Sequence, residues 1–377
     1  MQYRNFGKLN IKASAFGLGC MRFPMKEVNG EMVIDEENAI RVVREAIDGG
    51  VTYVDTAYVY SGKKNEALVG KALRDGYRER VYLATKLPVY LCEKPEDMEK
   101  FLDEQLKNLE TDHIDFYLLH ALNRERWESI KAMGACEFLD EMKRKGKIRY
   151  ACFSFHDEYP VFEEILNAYD WDMCQIQFNY MDIENQAGLK GLRLAGEKNI
   201  PVVIMEGLLG GKLANAPDNV LAVFDEYKEK RSAAEWAFRY LCDFPEIATV
   251  LSGVVNPEQT ADNLRIFDLA RPNAMSEEEM RLIDRAREAY LSRIKVGCTG
   301  CAYCMPCPMG VNIPKIFKLY NEDSLYGAMS GARSGYSRLL KNGEGADRCV
   351  ACRKCEKVCP QGFPIPEFLK AAHEALS

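Results

Sequence analysis

Between residues 13 and 269 the chain alternates short apolar runs with amphipathic helical segments, eight times over. The runs fall at 13–19, 51–55, 81–86, 114–119, 147–153, 172–178, 201–205 and 247–252. The first helix runs from Asp35 to Gly49, with Ile40, Val43 and Ile47 on one face; the others are expected at 65–73, 95–109, 124–145 (broken only by Gly134), 159–168, 187–198, 232–242 and 257–269. Regular βα alternation implies a parallel sheet, and eight units of this length close into a barrel rather than an open sheet. A hairpin is expected before the first run, within MQYRNFGKLNIKA, and a helix opened by Ser276 at 276–292 ends the unit. The expected fold is therefore an α/β protein, a (β/α)8 TIM barrel over residues 1–290. Its longest connection, 206–231, starts GLLGGKL, which suits a loop that closes over a ligand.

Three of these strands end on an ionisable residue. VTYVD ends in Asp55, with Tyr60 five residues on; VYLATK ends in Lys86 and IDFYLLH in His120. Strand C-termini of a parallel barrel form the rim where active sites are built. A phenol titrates near 10, too high for acid–base work at neutral pH. A buried ammonium beside it favours phenolate, a carboxylate keeps the ammonium charged, and a histidine can hydrogen-bond a substrate oxygen. The set suits proton delivery to a carbonyl oxygen while a hydride reaches the carbon.

The stretches VDTAYVYSGKKNEALVGKAL, ATKLP and IDFYLLHAL resemble the aldo-keto reductases, over roughly residues 1–290. The resemblance implies a (β/α)8 barrel, reversible reduction of a small carbonyl compound (or oxidation of the alcohol) with a nicotinamide cofactor, and the family's Asp, Tyr, Lys and His roles for Asp55, Tyr60, Lys86 and His120. It also assigns a cofactor site. Ser154 and Gln175 fall at the carboxamide, Met205 where many members stack a tyrosine on the nicotinamide ring, Leu208 just beyond it, and Asp262 and Asn263 at the adenosine half. Phe155 stands where the family has an asparagine. Gly253 and Gln259 stand where members using NADP(H) carry Lys and Arg, each worth about 1.5–3 kcal/mol to a 2′-phosphate. The expectation is NAD(H) at least as readily as NADP(H). Gly17-Leu18-Gly19 lacks the third glycine of a dinucleotide fingerprint. Tyr58, Tyr90 and Trp127 are candidate walls of the substrate pocket, and His113, His156 and His373 have no evident partner.

The chain has 14 cysteines. Six are scattered (Cys20, Cys92, Cys136, Cys152, Cys174, Cys242) and read as small core residues. The other eight form two arrays, Cys298-x2-Cys301-x2-Cys304-x2-Cys307-Pro308 and Cys349-x2-Cys352-x2-Cys355-x3-Cys359-Pro360. The second matches the bacterial ferredoxin run, in which three cysteines wrap one cubane and the fourth reaches its neighbour. Zinc sites more often pair two C-x2-C knuckles across a longer gap. Two [4Fe-4S] clusters are expected: one on Cys298, Cys301, Cys304 and Cys359, the other on Cys349, Cys352, Cys355 and Cys307. Helices expected at 313–320 and 326–340 make residues 291–377 similar to the helical dicluster ferredoxins.

Net charge is −7 over 377 residues, yet residues 291–377 hold 12 Lys+Arg against 7 Asp+Glu. No clustered basic face interleaved with aromatics points to nucleic acid, no apolar run approaches the ~20 residues that span a bilayer, and the first residues lack a signal's apolar core. The expected setting is cytoplasmic, with neither nucleic acid nor membrane as partner. Paired cubanes imply one-electron traffic with a ferredoxin or flavoprotein. Two other readings stay open on sequence: a nicotinamide-dependent carbonyl reductase with structural clusters, and a non-enzymatic electron carrier with a degenerate pocket.

Overall fold

A computed structural model describes residues 1–377. Eight parallel strands close into a barrel in strict chain order: β1 (Phe16–Gly19), β2 (Tyr53–Asp55), β3 (Tyr82–Leu87), β4 (Ile114–Leu122), β5 (Ile148–Phe155), β6 (Met173–Gln177), β7 (Val202–Met205) and β8 (Ile247–Ser252). β8 pairs with β1, and β5 with β6, so no edge is left to template aggregation. The strands are buried along nearly their whole length, because side chains facing inward fill the barrel and those facing outward meet helices. The expected hairpin forms from Tyr3–Asn5 and Lys12–Ser14. Phe6, in its turn, is fully buried against Tyr53 and Phe116 at ring-centroid distances of 5.9 and 5.3 Å. With Ala84, Cys152, Met173 and Val203 these rings plug the barrel interior. The opposite end, where the strands terminate, is left for chemistry.

One departure from expectation is local. An exposed second hairpin, Met25–Val28 with Glu31–Ile34, follows β1; its four-residue strands have no buried face, so no alternation announces it. The helix expected at 124–145 is broken at Gly134 as expected, into Arg124–Ala132 and Ala135–Arg144, because Gly134 takes φ +83° between them.

The chain forms two compact units. The first comprises Met1–Leu208 and Ala237–Met275, the second Leu209–Trp236 and Ser276–Ser377. The long connection after β7 is thus more than a loop. It carries the helix Asp218–Phe224, which packs along Glu277–Leu291 inside the second unit. There Arg231 donates to Glu279 and Arg285 to Glu226. Glu277–Leu291 opens with a full capping box, Ser276 and Glu279 each accepting the other's backbone N–H. The expected tail helices are present at Ile313–Tyr326 and Ala332–Lys341, joined by Ile365–Leu376 around a core of Ile316, Phe317, Tyr336 and Leu369. No helix is long and apolar enough to cross a membrane.

Candidate functional site

Register brings the strand-end residues together. Asp55 pairs with Ala84, which places Lys86 one pleat further on the same face; Lys86 pairs with Leu118, which places His120 one pleat further again. Beyond Leu119 the β4–β5 ladder shifts register, and Ala121 takes φ +53°. Such a bulge re-aims a side chain. Ser154 secures it by accepting the Ala121 N–H on Oγ at 2.7 Å.

Lys86 is 1% exposed and its ammonium is fully used. Nζ donates to Asp55 Oδ1 at 2.7 Å and to the Thr56 carbonyl at 2.7 Å, and it reaches the Tyr60 hydroxyl at 3.4 Å. It also lies 5.0 Å from the Tyr60 ring centroid. Burial opposes its charge, but Asp55 and then the Tyr60 phenol outweigh burial and hold Lys86 protonated. Burial pushes the Asp55 carboxyl up while Lys86 pulls it down; with an ammonium at 2.7 Å the carboxylate is the form that fits.

Tyr60 corrects one expectation. Lys86 does pull its phenol down, but burial raises it more, and Asp55 and Cys20 add to the rise. The resting phenol is protonated, poised as an acid. His120 stands edge-on to Tyr60 at a centroid distance of 6.1 Å. Burial, then Lys86, His156 and Arg126, push its pKa down to about 3, so the ring is neutral. Its Nδ1 is buried without a partner.

A buried polar layer behind the site fixes β3. Gln105 donates to the Lys86 carbonyl at 3.1 Å and to Glu66 at 2.7 Å, and accepts from Tyr117 at 2.8 Å. Glu66 also accepts from Thr85 at 2.6 Å. Thr56, whose carbonyl holds Lys86, donates through its hydroxyl to Asn65.

The residues expected at a nicotinamide gather on adjacent strands. Ser154 pairs with Gln175, and Gln177 with Met205. Gln175 Nε2 reaches only the Met205 sulfur, at 3.6 Å, and its Oε1 is buried without a partner. An unsatisfied amide oxygen beside a buried hydroxyl fits a carboxamide, which brings both a donor and an acceptor. Leu208 follows β7, half-buried. Asn263 Nδ2 donates to Ser252 Oγ at 3.0 Å, whereas Asp262 is tied to Arg265 at 2.8 Å. Gln259 folds back to accept the Val255 N–H at 3.0 Å.

Of the suggested pocket walls, only Tyr90 stands at the site, its ring 6.1 Å from His120. Trp127 is 1% exposed against Trp171, and Tyr58 packs on Phe101 and bonds Glu104. His113 and His373 are structural, bound to Asp112 and Tyr336. His156 lies near enough to disfavour charge on His120. It stands one residue past β5, so the strand-end rule that picks out Lys86 would have found it.

In the second unit the arrays share a backbone pattern. Gly300 and Ala302 in the first, and Ala351 and Arg353 in the second, take left-handed φ of 72°, 62°, 52° and 55°. Repeated left-handed residues turn successive N–H groups inward, the arrangement that receives iron–sulfur anions. Cys298, Cys301, Cys304 and Cys359 line one cavity with Phe317 and Phe363. Burial raises the Cys304 thiol, and Cys298, Cys301 and Cys359 raise it further. Burial pushes Cys355 up to about 11, with Cys349 among its neighbours. Cys307 is half-buried against the same core. No three His, Cys, Asp or Glu side chains gather tightly enough for a single ion; a four-iron cubane holds its thiolates further apart.

Comparison with known proteins agrees with this fold. The aldo/keto reductase family profile matches residues 15–288, and that of a 4Fe-4S dicluster domain matches 297–363. An uncharacterized oxidoreductase of Bacillus subtilis, YrpG, is 30% identical over 56% of this chain and 69% of its own. The NADH-specific methylglyoxal reductase of Escherichia coli is 26% identical over 70% of this chain and 92% of its own. Among solved structures, the holo form of the aldo-keto reductase AKR11C1 from Bacillus halodurans superposes with a TM-score of 0.64 at 26% identity, covering 76% of this chain and 96% of that one.

Proposed function

The chain belongs to the aldo/keto reductase family, and from that premise we propose that it interconverts a carbonyl compound and its alcohol, with Tyr60 as the proton donor and acceptor. It is an oxidoreductase with a 4Fe-4S dicluster domain; the roles within it are our reading. The observation that carries it is the Asp55–Lys86–Tyr60 chain, with contacts of 2.7 and 3.4 Å. Ser154, Gln175, Met205, Leu208, Asp262 and Asn263 would hold a nicotinamide, which would supply or accept the hydride at the substrate carbon. In the reducing direction Tyr60 gives its phenolic proton to the carbonyl oxygen, and Lys86 stabilises the phenolate left behind. His120, neutral, directs an N–H at the same oxygen and orients the carbonyl. Asp55 keeps Lys86 charged.

The nucleotide preference we propose is NADH. No cation stands at Gly253 or Gln259, and the Gln259 amide is already engaged; the similar E. coli enzyme is NADH-specific by name. Titration of the anaerobic, cluster-replete protein with each nucleotide, followed by intrinsic fluorescence, tests this. Tighter binding of NADPH would overturn it and turn attention to Arg22, whose Cβ would lie 4.0 Å from a Cβ at position 253.

We further propose two [4Fe-4S] clusters with the cross-ligation given above, and residues 1–290 and 291–377 as the two functional divisions. The clusters supply one-electron transfer to or from a ferredoxin or flavoprotein. The arrays differ in a way that favours electron traffic over a purely structural role. From Val296 to Pro314 there is no charged residue, whereas Cys352 is exposed among the exposed Arg348, Arg353, Lys354 and Lys357. A cationic face over an exposed cluster ligand suits an acidic carrier.

A further inference from the structure

Arg126 is a cation at the barrel mouth that the tetrad does not use. It sits in the first turn of Arg124–Ala132, just past β4, and is half-buried. Its Nη1 donates to the Ala121 carbonyl at 2.8 Å, and its guanidinium stacks 4.7 Å from the Tyr90 ring centroid. It makes no ion pair, whereas Arg124, two residues before it on the same helix, pairs with Glu128 and Glu164. Tyr90, on which it is held, faces His120 at 6.1 Å, and His120 faces Tyr60 at 6.1 Å. The charge of Arg126 is felt at His120 and at His156.

A guanidinium that is half-desolvated, braced by stacking and by one carbonyl, yet lacking a carboxylate, has donors to spare. Its one side-chain hydrogen bond is the one to the Ala121 carbonyl, and the Gln186 amide nitrogen nearby is turned to Gln177. The only carboxylate in the tetrad, Asp55, is consumed by Lys86. Arginine presents two parallel N–H groups that match the two oxygens of a carboxylate, and a single arginine without further cations suits that monoanion better than a phosphate dianion.

We propose that Arg126 is a specificity-determining residue that takes the carboxylate of a substrate whose carbonyl is presented to Tyr60 and His120, so that the preferred substrates are short oxo acids rather than neutral aldehydes. This rests on the tetrad reading above. The stack on Tyr90 limits the guanidinium's freedom, so binding costs little further side-chain entropy. It stands beyond β4, beside β5, where Ser154 bonds the N–H of the same Ala121 whose carbonyl Arg126 holds.

The test compares two four-carbon aldehydes, succinic semialdehyde and butanal, with the full-length protein and its preferred nucleotide. The expected wild-type kcat/KM ratio favours the acid, and in Arg126→Ala that ratio falls about 10- to 100-fold, the worth of one charge-assisted interaction. Arg126→Lys restores part of it, since the charge returns without the fork. Equal ratios in wild type and Arg126→Ala would overturn the proposal. A measurement independent of turnover keeps it separate from the tetrad reading. Butyrate and butanamide are titrated against wild type and Arg126→Ala by calorimetry. Butyrate must bind more tightly than butanamide in wild type alone. If butyrate has no advantage the proposal fails; if it has the advantage but neither aldehyde is reduced, the binding role stands and the tetrad reading fails.

Discussion

Tyr60 carries the account at the residue scale, and its protonation state gives the first two predictions. Tyr60→Phe removes the proton but leaves the Lys86–Asp55 pair and the nicotinamide residues in place. Its kcat should fall by about 10²–10⁴, with nucleotide affinity within about twofold by fluorescence titration. The pH dependence follows from two shifts. Burial raises Tyr60, so the acid form is present through neutral pH and is lost only as pH rises above the ordinary phenol range. His120 titrates near 3 and contributes no limb above it. Reduction by wild type should therefore be flat from about pH 5 to 9 and decline above, while oxidation gains with rising pH. A limb near 6.5, the ordinary imidazole value, would show a charged His120 and contradict this site. At this scale much was legible. Asp55, Tyr60, Lys86 and His120 announce themselves as titratable residues at strand ends. The direction of the Tyr60 shift was not, because it depends on how much water the folded site excludes, and a neighbouring Lys alone points the other way.

Elements decide how those side chains are aimed. The irregular end of β4, with Ala121 at φ +53° and its N–H on Ser154, sets where His120 points. Nothing in IDFYLLHAL gives this away, since alanine is not a residue that signals a left-handed position. The layer of Glu66, Gln105 and Tyr117 behind β3 was equally hidden: Glu66 and Gln105 are helix positions, and polar side chains there read as solvent-facing until tertiary packing buries them. Gln105→Leu removes the donor to both Glu66 and the Lys86 carbonyl. With Glu66 1% exposed and left short of partners, a loss of about 1–3 kcal/mol is expected, read as an earlier urea transition of the barrel. The 4Fe-4S dicluster domain was legible because the spacing of its cysteines is itself the signal. Their pairing yields a sharper expectation: Cys359→Ser should cost the cluster on Cys298, Cys301 and Cys304 and leave that on Cys349, Cys352 and Cys355, so iron analysis falls from about eight to about four per chain. Loss of the second-array cluster instead would refute cross-ligation.

For the whole molecule, the alternating pattern gave the barrel and its direction, so the end of the fold that carries the site followed from topology alone. The compact units were less readable. Residues 209–236 lie between two barrel strands in the chain yet pack with Ser276–Ser377, because the helix Asp218–Phe224 buries its apolar face on Glu277–Leu291. Chain order marks where a segment starts and stops, while the partner of an amphipathic face is a choice made in three dimensions. The same split means that thermal or urea unfolding of this protein should show more than one transition, and that chelating iron should shift the one belonging to the second unit.

The central claim is that a nicotinamide hydride and the Tyr60 proton together reduce a carbonyl in this barrel. A single-turnover experiment tests it most directly. Anaerobic, cluster-replete protein is loaded with NADH deuterated at C4, mixed with an aldehyde, and compared with Tyr60→Phe. The account predicts stoichiometric NADH oxidation with deuterium on the alcohol carbon in wild type, and a rate lower by at least about a hundredfold in the variant. Equal rates in the two proteins, or an alcohol carrying no deuterium, would contradict it.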